Sequence, residues 1–319
     1  MKIQLLKAFV AVSLFSSAVC GADLQLLGML TPEAKLVAGI NADQAKSSPF
    51  GQFLLSRIPE DDQGFREFIL ATGFDPRRDV REVLIASDGK PGRHNGVILV
   101  RGSFDAARIF AAAAKQQGHT RETYKGVEML VKEGGALAFL SGTVAMAGGE
   151  DYVRAAIDRR NSPVSLEPLL YAKVNELSAT QDVWVVSATP LSELSRRVPN
   201  GTAQGALNGD IVKKIERSSG GVKFGSIVQI TGEALMETER DATALTDVIR
   251  FLASMAQLRA PASGPGANLV QSLDVRAEAN TVKLSVGIAE DQLENLLKSQ
   301  QRRASTNRRP AARKLSHPQ

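Results

Sequence analysis

The stretch TVAMAGGEDYVRAAI, residues 143–157, holds an apolar run, small residues, an acidic pair and an amphipathic segment, in that order. The same order returns in VKLSVGIAEDQLENLL, residues 282–297. In both stretches the pattern predicts a strand that leads directly into a helix. We interpret the two stretches as the ends of duplicated units about 140 to 150 residues apart, a spacing too long for a solenoid repeat.

Apolar runs bounded by turn residues predict strands throughout the chain, and apolar residues at helical spacing predict helices between them. The predicted fold class is α+β, with two similar β-α-β-β-α units, a mostly antiparallel sheet and helices packed on one face. The units are residues 23–161 and 162–298, which meet near Asn161-Ser162-Pro163. The predicted strands are 36–40, 82–86, 96–100, 126–132, 136–146, 183–186, 222–231, 269–276 and 282–288; the predicted helices are 49–58, 61–72, 104–117, 151–160, 210–218, 233–257 and 290–298.

The segment ATGFDPRRDVREVLIA, residues 71–86, joins a predicted helix to a predicted strand. Gly73 suits the left-handed residue that follows a helix, and Asp75-Pro76 is typical of a turn. Arg77 and Arg78 are then expected on the solvated side of that turn. Because the corresponding segment of the second half, IERSSGGVKFGSI, has no Arg-Arg-Asp cluster, both arginines are also candidate contacts for an anion or a protein partner.

The first 22 residues predict a secretory signal peptide. Lys2 and Lys7 supply a positive start, a short apolar run follows, and small residues offer cleavage after Gly21 or Ala22. The apolar run is shorter than the roughly 20 residues of a membrane-spanning helix. Lipidation of Cys20, the single cysteine, is a second interpretation, although the residues before it depart from the usual lipidation motif.

The positive charge of the chain is concentrated at its ends. The formal net charge is +5, but residues 23–297 hold 30 basic and 34 acidic residues, so this part carries −4. The tail, residues 299–319, lacks apolar periodicity and is predicted to be disordered. The tail is interpreted either as a merely solubilising segment or as a non-specific contact for anionic lipid, acidic polysaccharide, nucleic acid or a protein partner. In the second case its candidate contact residues are Arg302, Arg303, Arg308, Arg309, Arg313 and Lys314.

The sequence offers few residues for catalysis or for holding a metal or cofactor. His94 and His119 both lie in predicted loops, and no nucleophile elbow, phosphate-binding loop or dinucleotide fingerprint is present. The run Glu60-Asp61-Asp62 is interpreted as a helix start and not as a metal site. Gly148-Gly149-Glu150-Asp151 resembles a cyclase signature, but N-capping of a helix explains it better. We therefore predict no catalytic, metal or cofactor-binding residue.

Three stretches carry a loose resemblance to a known family: AKLVAGI at 34–40, TGFDP at 72–76 with Asp79-Val80, and DATAL at 241–245 with Phe251-Leu252. They resemble an uncharacterised family of secreted bacterial proteins, known as a domain of unknown function. The resemblance extends over most of the chain after the signal segment. It implies an exported α+β architecture and supplies no activity, cofactor or catalytic residue.

Together these features predict an exported, non-enzymatic α+β protein that binds a partner or a component of the cell envelope. It would be periplasmic or extracellular, without a transmembrane span and without sequence-specific binding of nucleic acid. The alternative is an envelope enzyme whose site is assembled in space from Arg, Asp and Glu side chains. A cleft lined by carboxylates with shifted pKa values would favour the enzyme, and an exposed apolar groove would favour the binder.

Overall fold

A computed structural model describes residues 21–57, 62–90, 94–115, 118–190, 210–259 and 271–295. The strands are β1 Leu36–Asn41, β2 Val80–Ser87, β3 Val97–Gly102, β4 Thr120–Tyr124, β5 Val127–Lys132, β6 Gly135–Ser141, β7 Val144–Gly149, β8 Val183–Ser187, β9 Ile215–Lys223, β10 Ile227–Met236, β11 Leu273–Glu278 and β12 Thr281–Ala289. The helices are α1 Leu24–Gly28, α2 Ala42–Ser47, α3 Pro49–Leu55, α4 Gln63–Thr72, α5 Pro76–Asp79, α6 Ala106–Ala114, α7 Glu150–Arg159, α8 Pro168–Thr180, α9 Asp210–Lys213, α10 Glu239–Arg259 and α11 290–295.

All of these strands form one 12-stranded sheet in the order β11-β12-β10-β9-β8-β1-β2-β3-β7-β6-β5-β4. Every neighbouring pair is antiparallel. The predicted α+β class and antiparallel sheet are confirmed. The N-terminal strand β1 lies in the middle, between β2 and β8, so the sheet is continuous from one predicted unit to the next. The duplication itself stays a prediction.

One face of the sheet, here called the inner face, carries the main core. Because side chains alternate along a strand, residues that face each other across the sheet form a row on one side. One such row crosses seven strands through Trp184, Gly39, Leu84, Leu99, Met146, Ala138 and Met129. Helices α1, α7 and α8 supply buried side chains to this core. The sequence analysis assigned no element to α1, although Leu26, Leu27, Met29 and Leu30 around it are at most 3% exposed.

A second, smaller core lies on the opposite face, under α10. There Leu245 of α10 packs with Val275 of the edge strand β11 and with Val282 of its neighbour β12. Helix α6 also packs on this outer face, where the rings of Phe110 and Phe139 lie 5.3 Å apart. The helices therefore lie against both faces of the sheet, whereas the sequence predicted that they would pack on one face. The reason is strand alternation, which turns the apolar residues of β12 away from the main core and leaves a second surface to cover.

Several predicted boundaries are wrong, and in two of them strand pairing overrides a local helical pattern. The predicted strand 136–146 is a hairpin, β6 and β7, which turns at Gly142. The predicted helix 210–218 ends at Lys213, and 215–223 is strand β9. The long helix begins at Glu239 and not at 233, since residues 233–236 pair within β10. Helix α6 is capped by Asp105 and not by Ser103.

The joint between α4 and β2 is confirmed in its main feature. Gly73 has a φ of 72°, in the left-handed region, and its backbone N–H donates to the Ile69 carbonyl oxygen at the end of α4. Asp75 then caps the single helical turn α5, which replaces the expected open turn. The comparison with residues 215–227 is wrong, because that segment is a strand, a turn and a strand.

We expect Gly73→Val to lower the free energy of unfolding by about 2 kcal/mol, because the left-handed conformation strains a β-branched residue. A Cβ here would also lie 2.6 Å from Arg108 Nη1. Arg77→Ala and Arg78→Ala remove ion pairs at the surface of α5, so each should lower the urea midpoint much less than Gly73→Val does. Urea midpoints measure all three, with Gly73→Asn as the tolerated control. A larger loss from either arginine than from valine would contradict this ranking.

Candidate functional site

An open cleft of about 510 Å³ lies between α8 and the inner face of β8, β9, β10 and β12. We call it the α8 cleft. One wall comes from α8, through Leu169, Ala172, Lys173 and Glu176. The floor comes from the strands, through Val186, Arg217, Ser219, Glu233, Leu235, Thr281 and Lys283. Its volume is within the range of ligand-binding clefts, roughly 300–1,000 Å³.

The sequence of α8 explains how this wall is formed. Pro168 occupies the first helical position, and the Glu167 carboxylate accepts hydrogen bonds from the backbone of Leu169 and Leu170. These are standard features of a helix start. Residues at helical spacing bury one side of the helix: Leu170, Val174, Leu177 and Ser178. The opposite edge therefore leaves Leu169 63% exposed beside the cleft.

Strand register determines the floor. Glu233 of β10 lies between Ser219 of β9 and Lys283 of β12. Two residues along, Leu235 lies between Arg217 and Thr281. Because alternate residues share a face, these two rows point toward α8 together. The floor is thus mixed, with charged, hydroxyl and apolar side chains within one small area.

The charges of the α8 cleft are paired with each other. Lys173 Nζ lies 2.7 Å from Glu233 Oε2 and 2.8 Å from Glu176 Oε2. Arg217 Nη1 lies 2.9 Å from Glu167 Oε2, which ties the start of α8 to β9. At the outer end Lys283 pairs with Glu278 at 2.6 Å. Three cations meet four carboxylates, so neither sign is in large excess.

The ion pairs of the α8 cleft suit its charged side chains to binding a ligand and not to transferring protons. Burial alone would lower the pKa of Lys173, but hydrogen bonds to Glu176 and Glu233 outweigh it and raise the pKa. A lysine that acts as a base or nucleophile needs a lowered pKa instead. The hydrogen bond from Arg217 likewise lowers the pKa of Glu167, which keeps that carboxylate ionised.

The largest pKa shifts occur outside the cleft, at the end of β2. Burial opposes ionisation of Asp88, yet hydrogen bonds from Lys90 and Tyr152 lower its pKa to about 2. Burial and the bond to Asp88 raise the pKa of Tyr152 to about 12. The Tyr152 hydroxyl donates to Asp88 at 2.7 Å, which ties α7 to the sheet. Both pKa values thus lie farther from pH 7 than usual, so neither group exchanges protons near neutral pH. This is the behaviour of a structural contact.

The two arginines that the sequence singled out lie on α5, away from the cleft. Arg77 makes an ion pair with Asp75 at 2.8 Å. Arg78, whose side chain is 69% exposed, pairs with Asp79 at 2.7 Å and donates to the Gly73 carbonyl oxygen at 3.3 Å. Each cation thus already has a partner within its own turn. The six cations of the tail, from Arg302 to Lys314, lie outside the described residues.

The two acidic runs that the sequence singled out lie at helix starts, in so far as their residues are described. Asp62 caps α4 through the backbone nitrogen of Phe65, as the helix-start interpretation predicted, while Glu60 and Asp61 lie outside the described residues. Gly149, which has no capping side chain, precedes α7, so Glu150 lies in the first turn and does not cap it. Among the described residues no group of three or more His, Cys, Asp or Glu could hold a metal ion.

The sequence analysis missed the α8 cleft because it missed α8. The start signal Glu167-Pro168 and the apolar spacing of Leu170, Val174 and Leu177 are present in the sequence. They would have been sufficient to predict the helix. The residues of the strands that pair with α8 could still not have been predicted, since Lys173 and Glu233 are 60 residues apart in the chain.

The described residues define an α+β protein with one fully antiparallel sheet, helices on both faces and a cleft beneath α8. None of its described helices is long and apolar enough to cross a membrane. A scan against protein-family models finds no match, and a search of curated proteins finds none.

Among solved structures, the fold is similar to that of TP0453. Crystal form I of TP0453 has a TM-score of 0.53 and 13% identity, and the match covers 88% of this chain and 99% of that one. Crystal form III has a TM-score of 0.52 and 12% identity, and its match covers 87% and 99%. At such identities the likeness concerns the fold alone.

Proposed function

We propose that this protein binds a small amphiphile of the cell envelope in the α8 cleft, without converting it chemically. The observation that carries the proposal is the composition of the cleft. Leu169, Val186 and Leu235 offer apolar contact, and the ion pairs of Lys173 and Arg217 lie beside them. Ligand sites commonly combine an apolar lining with a few polar groups that orient the ligand.

The charge balance of the cleft indicates the class of ligand. Burying an unmatched charge is costly, so a strongly anionic or cationic ligand would have to displace an existing ion pair. A zwitterionic head group can instead lie along the pair of Lys173 and Glu233, with each of its charges near the opposite one. The apolar chain would then contact the wall at Leu169. An enzyme is less favoured, because the cleft's charged groups are held in ion pairs.

We expect dodecylphosphocholine, used below its micelle-forming concentration, to bind the full chain saturably in isothermal titration calorimetry. Ala172→Trp places a large ring in the cleft wall and should weaken binding about tenfold, a change of about 1.4 kcal/mol. Ala172 is exposed, so the fold should tolerate the ring. The matched control is Ala111→Trp, an equally exposed position on α6. Equal affinities of both variants would exclude the α8 cleft as the binding site.

Export of the chain, the family resemblance and anion binding by residues 299–319 stay predictions. The binding proposal uses them only for the source of the ligand. An exported protein would meet envelope amphiphiles, and a cationic tail would be attracted to anionic surfaces that contain them.

A further inference from the structure

The first described residues after the predicted signal segment make a cluster of charges against the sheet. The backbone nitrogen of Asp23 lies 3.1 Å from Glu82 Oε1. The Asp23 side chain caps α1, accepting from the backbone of Gln25 at 2.8 Å and of Leu26 at 3.2 Å. The same carboxylate forms an ion pair with Arg101. Asp23 is thus bound through both its backbone and its side chain.

This cluster is short of one positive charge. Glu82 and Arg101 lie opposite each other on β2 and β3, and Asp23 adds a second carboxylate to the single guanidinium. Burial raises the pKa of Glu82, and the hydrogen bond from the Asp23 backbone lowers it only in part. One neutral amide leaves the negative charge of a partly buried carboxylate unbalanced, because a neutral donor cancels no charge. The missing charge would be matched by a cation at the Asp23 nitrogen.

We propose that the signal segment is removed by hydrolysis of the peptide bond between Ala22 and Asp23, and that the new α-ammonium group of Asp23 forms an ion pair with Glu82. In this reaction the hydroxyl group of water goes to the carbonyl carbon of Ala22. The Asp23 nitrogen receives the proton and, below the usual amino-terminal pKa of about 8, carries a positive charge. The enzyme class is a signal peptidase, for which small residues precede the cleaved bond, here Cys20 and Ala22.

The fold agrees with a mature chain that begins at Asp23. The helix capped by Asp23 is part of the main core, since Leu26 and Leu30 are fully buried. Ala22 also packs at the margin of this core, but it contributes a single methyl group. This inference rests on the predicted signal segment and is independent of the α8 cleft.

The cleavage site is tested by exporting the full chain with its own N-terminal segment in a bacterial host. The intact mass of the purified periplasmic protein should correspond to a chain that begins at Asp23. A chain that begins at Gly21 or Ala22, an uncleaved chain, or a lipid-modified Cys20 would each overturn the proposal.

The ion pair is tested separately by comparing a chain that begins at Asp23 with one that begins at Gly21. Glu82→Gln should lower the thermal midpoint by about 3 °C more in the first chain than in the second, because only there does the ammonium group lie on Glu82. Glu128→Gln, which removes a pair with Arg121 far along the sheet, should act equally in both chains. Equal effects of Glu82→Gln in the two chains would overturn the ion pair.

Discussion

Gly39→Ala is expected to lower the free energy of unfolding by about 3 kcal/mol, because the added methyl group overpacks the main core. Gly39 lies in β1 between Leu84 and Trp184. A Cβ at this position would be 2.4 Å from Trp184 Cζ2 and 2.5 Å from Cε2. Trp184 is 4% exposed in the main core, so its ring cannot move aside without disturbing that core.

Thermal unfolding measures this effect, and Trp184, the single tryptophan, supplies the fluorescence signal. We expect the midpoint to fall by about 10 °C, given roughly 2–4 °C per kcal/mol for a domain of this size. Gly142→Ala is the control, because a Cβ there meets only an ordinary contact at 3.6 Å. In a Trp184→Phe background, followed by circular dichroism, the cost of Gly39→Ala should fall by half or more. An unchanged cost would mean that the tryptophan ring is not the cause.

Asp182→Ala should lower the free energy of unfolding by about 3 kcal/mol, because it removes a buried carboxylate that ties the start of β8 to the end of β9. The side chain is 2% exposed and accepts from Lys223 Nζ at 2.8 Å and from the Phe224 backbone nitrogen at 2.6 Å. The backbone of Asp182 donates to Val222 and accepts from Asn41. Without the carboxylate, the partly buried Phe224 amide loses its partner at the turn between β9 and β10.

Chemical denaturation measures the loss, with Asp182→Asn expected to cost less because an amide oxygen still accepts from Phe224. Asp274→Ala, an exposed aspartate on the edge strand β11, is the control and should change stability by less than about 0.5 kcal/mol. If Asp182→Ala cost no more than the control, the carboxylate would not stabilise the end of β9 and its turn. Lys223, which is 41% exposed, can turn to water and so should matter less than Phe224.

The α8 cleft shows why a site of this kind is hard to find from sequence. Its wall has a local signal, the Glu167-Pro168 start of α8, which the pattern contains. Its floor depends on which strands are neighbours and on their register. Lys173 meets Glu233 only because β9 lies between β8 and β10 and because Glu233 faces Ser219. Neither the strand order nor the register can be inferred from a short segment of the sequence.

The segment 215–223 shows the same limit for the fold. Read locally, residues 210–218 predict a helix, but from Ile215 onward the chain pairs with β8 and β10. Two neighbouring strands satisfy the backbone hydrogen bonds of residues 218–222 in the sheet, and burial of Ile215 adds to this. Pairing partners that lie far away in the chain thus override a weak local preference.

The sequence by itself determined what depends on adjacent residues. It predicted the helix starts at Ser48-Pro49 and Asp62, the left-handed Gly73, several strands and the α+β class, because caps, turns and alternation are set by near neighbours in the chain. The tertiary structure alone decided the order of the strands, the division of helices between two faces and the position of the cleft. These depend on long-range pairing, in which a shift of one residue would turn every side chain to the other face.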